Sequence, residues 1–194
     1  MRVLFVDAPP ELLAERRRLG LDRRDELWEG VVHVVPQPET GHQVFGANVI
    51  GAASARLRRR GLQITYETAV YQPGHREWSY RVPDLIVTRP ALLATSGIEG
   101  PPELVLEILS PNDESREKFP FYAALGCREV LLVDRRRHSF ELFRLTDGEL
   151  VPVPPDEAGT VRLEAFEASI SVAGVALRVG WADDGEDDIP FDPT

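Results

Sequence analysis

The chain has 194 residues, of which 43% are hydrophobic, and a formal net charge of −10. This length and apolar content suffice for one substantial core, whereas no apolar run approaches the roughly 20 residues that a membrane helix needs. The N-terminus lacks the basic-then-apolar order of a secretory signal, and the single cysteine, Cys127, excludes an intramolecular disulfide and a thiolate metal cluster. A cytoplasmic protein without a membrane span is therefore expected.

The acidic residues are unevenly distributed along the chain. Six of the 32 fall in the last twelve positions, in a segment that also holds a glycine and two prolines, which is typical of a solvated tail. The six are Asp183, Asp184, Glu186, Asp187, Asp188 and Asp192. We therefore expect a single domain over 1–182 and an acidic, flexible tail over 183–194. Net negative charge argues against nucleic acid as a partner, but discounting the tail weakens that objection.

Arginines cluster at three places, each of which is either a solvated face or a source of phosphate contacts. The clusters lie within residues 16–24, 56–60 and 135–137.

In chain order, the apolar pattern first predicts one or two short helices over 10–28 and a strand over 29–36. A longer helix is predicted over 42–60, because apolar residues recur on one face and Gly61 is typical of a helix C-cap. Three strands are predicted next. They cover residues 62–71, 81–88 and 103–109.

After Pro111 a helix is predicted as far as Gly126, followed by a buried strand over 129–134. A hairpin with the turn Asp147-Gly148 comes next, and short strands continue to about Val179. This order predicts the mixed α/β (α+β) class, with a central mixed β-sheet flanked by helices and extended by β-hairpins.

Glu107 lies inside an otherwise apolar run, Leu104 to Leu109, of the kind expected for a central strand. A buried carboxylate without a partner costs several kcal/mol or becomes protonated. A metal ion or a structural ion pair with arginine would both resolve the problem. Asp84 follows Pro83 at a strand entrance, where aspartate is either a turn former or, if the two strands are neighbours, a second oxygen ligand for Mg²⁺.

Lys118 is the only lysine in a chain with 21 arginines. An ammonium is a compact point charge, whereas guanidinium is a wide planar fork that fits poorly beside a metal ion and a phosphate. The simpler interpretation is a surface pair with Glu114, four residues earlier on a helix face.

Five segments together resemble the Uma2 family, formerly DUF820, of predicted PD-(D/E)XK endonuclease-like proteins. They are Val82–Val87, Pro102–Pro111, Lys118 with Tyr122, Gly126, and Glu129–Asp134. The resemblance implies a restriction-endonuclease-like fold in which Asp84 and Glu107 bind Mg²⁺ or Mn²⁺. The usual lysine position two residues after the glutamate holds Leu109, so the resemblance implies that Lys118 supplies the lysine from the following helix. Ser110, next in the chain, is a further candidate.

Other features depart from the wider nuclease pattern. Pro120 would break a helix interior but is tolerable if the helix starts near Lys118. A glutamate on the first helix is missing. Glu67 is either a third carboxylate or a solvent-facing residue. His42 either touches the site, caps a helix or is exposed to solvent. The four histidines show no metal-ligand spacing, and no glycine-rich phosphate loop is present, so no nucleotide cofactor is indicated.

The leading hypothesis is a metal-dependent DNA endonuclease in which Asp84 and Glu107 hold the ion and Lys118 positions water. Cutting both strands of a duplex favours a two-fold homodimer, for which the strands after Arg137 are the predicted contact. The alternative is a non-catalytic nucleic-acid-binding or scaffold protein that keeps the nuclease fold, and hydrolysis of another phosphoester is a third possibility.

Overall fold

The computed structural model describes residues 3–6, 8–111, 113–182 and 185–192. Among these residues there are three α-helices: α1 (Pro10–Arg18), α2 (Thr40–Arg59) and α3 (Phe119–Leu125). The strands are β1 (Val3–Phe5), β2 (Glu26–Trp28), β3 (Val31–Val34), β4 (Gln63–Tyr66), β5 (Val70–Tyr71), β6 (Leu85–Thr88), β7 (Leu93–Ala94), β8 (Gly97–Glu99), β9 (Leu104–Ile108), β10 (Glu129–Asp134), β11 (Ser139–Thr146), β12 (Glu149–Val153), β13 (Val161–Leu163), β14 (Ala168–Ala173), β15 (Ala176–Trp181) and β16 (Gly185–Pro190).

A six-stranded sheet in the order β12-β11-β10-β9-β6-β4 forms the centre of the molecule. The pair β9–β10 is parallel and the other neighbours are antiparallel, so the predicted mixed α/β class with a central mixed sheet is confirmed. Three smaller sheets surround it, in the orders β1-β3-β2, β13-β14-β15-β16 and β5-β8-β7. None of the helices in the described part of the chain is long and apolar enough to span a membrane.

The central sheet is covered on both faces, which explains why β6 and β9 are buried at every position. On one face, α2 and the sheet of β13–β16 pack against alternate residues of the central strands. On the other face, Tyr122 and Leu125 of α3 pack against Ile86 and Val105. Successive side chains of each strand therefore point alternately toward α2 and toward α3.

Residues 26–28, which the sequence pattern assigns to a helix, instead form β2. This strand pairs with β3 across a two-residue turn in which Glu29 and Gly30 both have positive φ, 46° and 89°. Such a turn matches the twist of a tight hairpin. The hairpin turns the side chain of Glu26 inward, where it is only 2% exposed.

The predicted strand over 62–71 is also divided in the structure. Glu67 adopts a φ of 43°, so the chain turns there, and β4 and β5 join different sheets. This turn brings Glu67 beside Asp84, whose carbonyl accepts a hydrogen bond of 2.9 Å from the Glu67 amide.

The prediction of a flexible acidic tail is wrong for residues 185–192. Residues 185–190 pair with β15 along six positions, because the apolar side chains of Ile189 and Phe191 are buried in the main core. The acidic residues Asp187 and Asp188 directly precede these anchors, where Asp188 binds Arg178 and Asp187 accepts from the indole of Trp181. Asp183 and Asp184, also assigned to the tail, lie outside the described residues.

Candidate active site

Antiparallel pairing of β6 with β9 brings Asp84 and Glu107 together. Leu85 pairs with Leu106, so the same register continued by one residue sets Asp84 opposite Glu107. Glu107 lies two residues after Val105 and therefore points to the same face of the sheet, toward α3. The two carboxylates consequently meet at one end of the central strands.

Glu107 is 3% exposed and accepts two hydrogen bonds on one oxygen. The Lys118 ammonium and the Tyr122 hydroxyl both donate to Oε1, at 3.0 and 2.6 Å. Burial raises the pKa of Glu107 to about 7, and the neighbouring carboxylates of Asp84 and Glu26 add to that rise while Lys118 opposes it. Burial also raises the pKa of Tyr122, so its hydroxyl stays a proton donor.

Lys118 immediately precedes α3, which begins at Phe119 and carries Pro120 in its first turn. Proline is tolerated there because the first helical amides have no intrahelical partner, so the proline does not displace the lysine. The Lys118 ammonium lies 2.9 Å from Glu26 as well as 3.0 Å from Glu107. Burial alone would lower the pKa of Lys118, but these two carboxylates outweigh it and raise that pKa above its ordinary value.

Asp84 is oriented by one side chain and one backbone amide. The His42 imidazole Nε2 lies 2.9 Å from Oδ1, and the Ile108 amide donates to Oδ2 at 2.7 Å. Burial opposes protonation of His42, yet the contact with Asp84 is strong enough to raise the imidazole pKa. The structure therefore places the His42 side chain in contact with Asp84.

A cleft of about 490 Å³ opens over these groups. All six candidate residues from the sequence line it: Asp84, Glu107, Lys118, Glu67, Ser110 and His42. The Glu67 carboxylate pairs with Arg24 at 3.4 Å, and the Ser110 hydroxyl donates to Asp113 at 3.4 Å. Both side chains are therefore engaged by neighbours at the cleft wall.

Three arginines also line the cleft and make its wall partly basic: Arg24, Arg135 and Arg136. Arg135 is held by the Phe191 carbonyl at 2.6 Å, whereas Arg136 is exposed and binds Glu39 at 2.8 Å. The third arginine cluster of the sequence therefore reaches the cleft.

Glu26 is the member of the site that sequence reasoning missed, because residues 10–28 were assigned to helices and the nuclease glutamate was sought on the first long helix. Burial opposes ionisation of Glu26, but Lys118 and two further hydrogen-bond donors outweigh it and hold its pKa below the ordinary value. The charged pair Asp25-Glu26 directly before the apolar Leu27 and Trp28 was the available signal, since both acidic side chains are buried.

The donor set suits a hard divalent cation held by few protein ligands. Two carboxylates meet at the cleft, and the described hydrogen bonds of Glu107 all use Oε1, which leaves Oε2 for another partner. No group of three or more His, Cys, Asp or Glu side chains within the described ranges could hold a metal ion. Mg²⁺ keeps several waters and is commonly bound through one or two carboxylates plus substrate phosphate, so two carboxylates fit this ion.

Comparison with known proteins identifies the family and a related fold. The model of the Uma2 family, described as putative restriction endonuclease, matches residues 10–177. A search of curated proteins finds no match. Among solved structures, the chain is similar to a putative nuclease belonging to DUF820 from Anabaena variabilis ATCC 29413, with a TM-score of 0.55 and 18% identity over 70% of this chain and 78% of that one. The likeness in fold confirms the predicted nuclease-like architecture.

Proposed function

Because the chain belongs to the Uma2 family of putative restriction endonucleases, we propose that it is a metal-dependent DNA endonuclease whose reaction centre is Asp84, Glu107 and Lys118. The observation that carries the proposal is the meeting of the two carboxylates on one sheet face with the only lysine of the chain 3.0 Å from Glu107.

In this proposal Asp84 and Glu107 hold Mg²⁺ or Mn²⁺, which when bound polarises a phosphoryl oxygen and lowers the pKa of a bound water. The protein groups orient these ligands: His42 and the Ile108 amide hold Asp84, while Tyr122 holds Glu107. Lys118 donates to the attacking water or to a phosphate oxygen and offsets the negative charge that develops there.

The arginines of the cleft wall supply contacts to the DNA backbone. Arg136 is the most accessible of them, with 59% of its side chain exposed. Contacts of this kind orient a duplex without reading its sequence. We therefore expect these arginines to add no strong sequence preference to cleavage.

Cutting both strands of a duplex would require two such centres, and we propose a two-fold homodimer for this purpose. The predicted contact involves the strands after Arg137. Within the central sheet, β12 is an edge strand, but Pro152 weakens it as a site for adding another strand. Light scattering after size-exclusion chromatography would give twice the chain mass of 21.7 kDa for a dimer, and a mass of one chain would contradict this part of the proposal.

The alternative of a non-catalytic nucleic-acid-binding protein has one specific observation in its favour. Both oxygens of Asp84 and one oxygen of Glu107 are already engaged by protein donors, which is an arrangement that can persist without a metal ion.

Two measurements separate these functions. Calorimetric titration of Mn²⁺ should give heat with the wild type and much less with Glu107→Gln, and equal heats would leave the nuclease proposal without its metal site. Supercoiled plasmid with Mg²⁺ should be nicked by the wild type, with rates lower by about 10²-fold or more in Glu107→Gln. Equal nicking by both proteins would point to a contaminating nuclease, whereas DNA binding without nicking by the wild type would favour the binding protein.

A further inference from the structure

Glu26 is a fully enclosed carboxylate for which the proposed reaction has no direct use. Its Oε1 contacts the Lys118 ammonium at 2.9 Å and accepts from the Val82 amide at 2.9 Å, and its Oε2 accepts from the Trp28 indole at 2.7 Å. With 2% exposure, this residue would carry a large desolvation cost unless its charge were matched. The positive charge of the Lys118 ammonium balances the negative charge of Glu26.

Glu26 is less suited than Asp84 to be a metal ligand, because its side chain is 2% exposed and its oxygens accept from three donors. The Asp84 side chain is 18% exposed and has one contact on each oxygen. The contacts of Glu26 come from three separate segments of the chain: its own hairpin strand β2, the segment before β6, and the turn before α3. Glu26 therefore has a fixed position relative to the residues that flank Asp84 and Lys118.

The three N–H groups of the Lys118 ammonium explain what Glu26 adds to the contact with Glu107. An ammonium has three N–H groups in a rotatable head. A single carboxylate partner would leave the head free to rotate, whereas contacts to Glu26 and Glu107 use two N–H groups and define the direction of the third. Because Lys118 lines the cleft with 12% of its side chain exposed, that third N–H is the one available to water or phosphate.

We propose that Glu26 is a positioning residue that, with Glu107, fixes the Lys118 ammonium so that one N–H is presented to the reacting phosphate in the cleft. This inference rests on the proposed nuclease function for its catalytic consequence, but the anchoring of the lysine is independent of that function. Glu26 acts through Lys118 and touches neither the substrate nor the ion.

The single lysine makes the anchoring directly measurable. Protein labelled with ¹³C- and ¹⁵N-lysine gives one side-chain signal, and that signal is Lys118. In the wild type we expect slowly exchanging ammonium protons, because the head group is held by two carboxylates. In Glu26→Gln, which keeps the size of the side chain but removes its charge, we expect faster proton exchange and a changed Nζ chemical shift.

Glu129→Gln is the matched control. Glu129 is likewise buried, at 1% exposure, and likewise bound by a cation, Arg144, at 2.8 Å, but it does not line the cleft. The Lys118 signal should be the same in this control as in the wild type. A signal that is also the same in Glu26→Gln would overturn the proposal. If Glu26→Gln fails to fold, Glu26→Asp decides, since withdrawing the carboxylate by one methylene shifts the Lys118 signal if the contact exists and leaves it unchanged if it does not.

Cleavage kinetics test the catalytic consequence. Loss of precise placement costs about 10²-fold in rate, so plasmid nicking by Glu26→Gln should show kcat lower by about that factor with KM nearly unchanged. An altered Lys118 signal with unaltered kcat would overturn the positioning role. A wild type that does not nick DNA would instead contradict the nuclease function, and the lysine signal would still show whether Glu26 anchors Lys118.

Discussion

Lys118 occupies a position where the shape of the cation matters as well as its charge. Its ammonium is within 3.0 Å of two buried carboxylates, and a planar guanidinium would have to reach both from a longer and wider side chain. In a chain whose other 21 basic residues are arginines, the lysine is consistent with this geometric demand.

Lys118→Arg should therefore retain the charge and lose the reaction. We expect plasmid nicking to fall by about 10²-fold, close to the level of the neutral Lys118→Met, while circular dichroism shows a folded protein. Arg89→Lys, at an exposed arginine that pairs with the buried Glu103 outside the cleft, is the control and should nick like the wild type. Nicking by Lys118→Arg at the wild-type rate would show that charge alone suffices.

The raised pKa of Glu107 links the site to the stability of the fold. Burial raises this pKa from 4.5 to about 7, so the folded protein binds a proton on Glu107 more tightly than the unfolded chain does. The corresponding stabilisation is complete below pH 4.5 and is lost as the pH rises through 7. Above that pH the buried charge destabilises the wild type unless a cation offsets it.

Glu107→Gln removes this dependence. Without divalent ions, we expect the Tm of the variant relative to wild type to be higher at pH 8 than at pH 5, with each kcal/mol worth roughly 2–4 °C in a chain of this size. Adding Mg²⁺ at pH 8 should raise the Tm of the wild type and not of the variant. The exposed Glu141→Gln should follow the wild type, and parallel pH profiles for Glu107→Gln and wild type would contradict the assignment.

At the scale of elements, the last strand fixes the position of α2. Phe191 is 0% exposed and its ring is stacked against Phe45 of α2, with centroids 6.0 Å apart, and against His138 at 5.0 Å. Its carbonyl accepts from Arg135 at the cleft. The acidic C-terminal segment is therefore a part of the core that also supports the cleft wall.

Phe191→Ala should accordingly destabilise the protein strongly. Removing a buried phenylalanine costs about 3–5 kcal/mol, which chemical denaturation followed by tryptophan fluorescence would measure. Asp188→Asn, in the preceding strand β16 and in an exposed pair with Arg178, should change the free energy of unfolding by less than about 1 kcal/mol. If Phe191→Ala lowered the free energy of unfolding by less than about 1 kcal/mol, the terminal segment would not contribute to the core.

The elements that the sequence predicted well are those with a strong local pattern. The long helix predicted over 42–60 and found over 40–59 has a periodic apolar face, and the apolar runs of β9 and β10 are unmistakable as buried strands. The last strand was missed because only two apolar side chains, at Ile189 and Phe191, lie among many acidic ones. The acidic composition of the segment predicts exposure to solvent. In the structure, two buried apolar side chains hold the segment against the core.

At the scale of the whole molecule, the site consists of residues that the sequence could name singly but not assemble completely. Glu107 and Lys118 stood out because each is unusual in its local context, and Asp84 stood out through its possible pairing with Glu107 and the resemblance to the family. Glu26 did not, since its importance arises from a contact with Lys118, which lies nearly half the chain away in sequence. Pairing between distant segments depends on tertiary structure and leaves no local pattern.

The distribution of charge over the molecule predicts how DNA would be bound. With a net charge of −10, general attraction to a polyanion is absent, so affinity must come from local basic groups such as those of the cleft wall. Each phosphate neutralised by an arginine contributes about 0.9 to the slope of log affinity against log salt. The slope of log affinity against log salt therefore indicates how many arginines contact DNA.

Arg136→Ala should weaken binding of duplexes of different sequence by a similar factor and reduce the salt slope by about 1. Fluorescence anisotropy in EDTA, where cleavage is excluded, would measure both quantities. Arg178→Ala removes an arginine of β15 that is 38% exposed and lies outside the cleft, and it should change neither. Glu39→Gln, which releases Arg136 from its 2.8 Å ion pair, should strengthen binding. Equal slopes for Arg136→Ala and Arg178→Ala would place the DNA on another face of the protein.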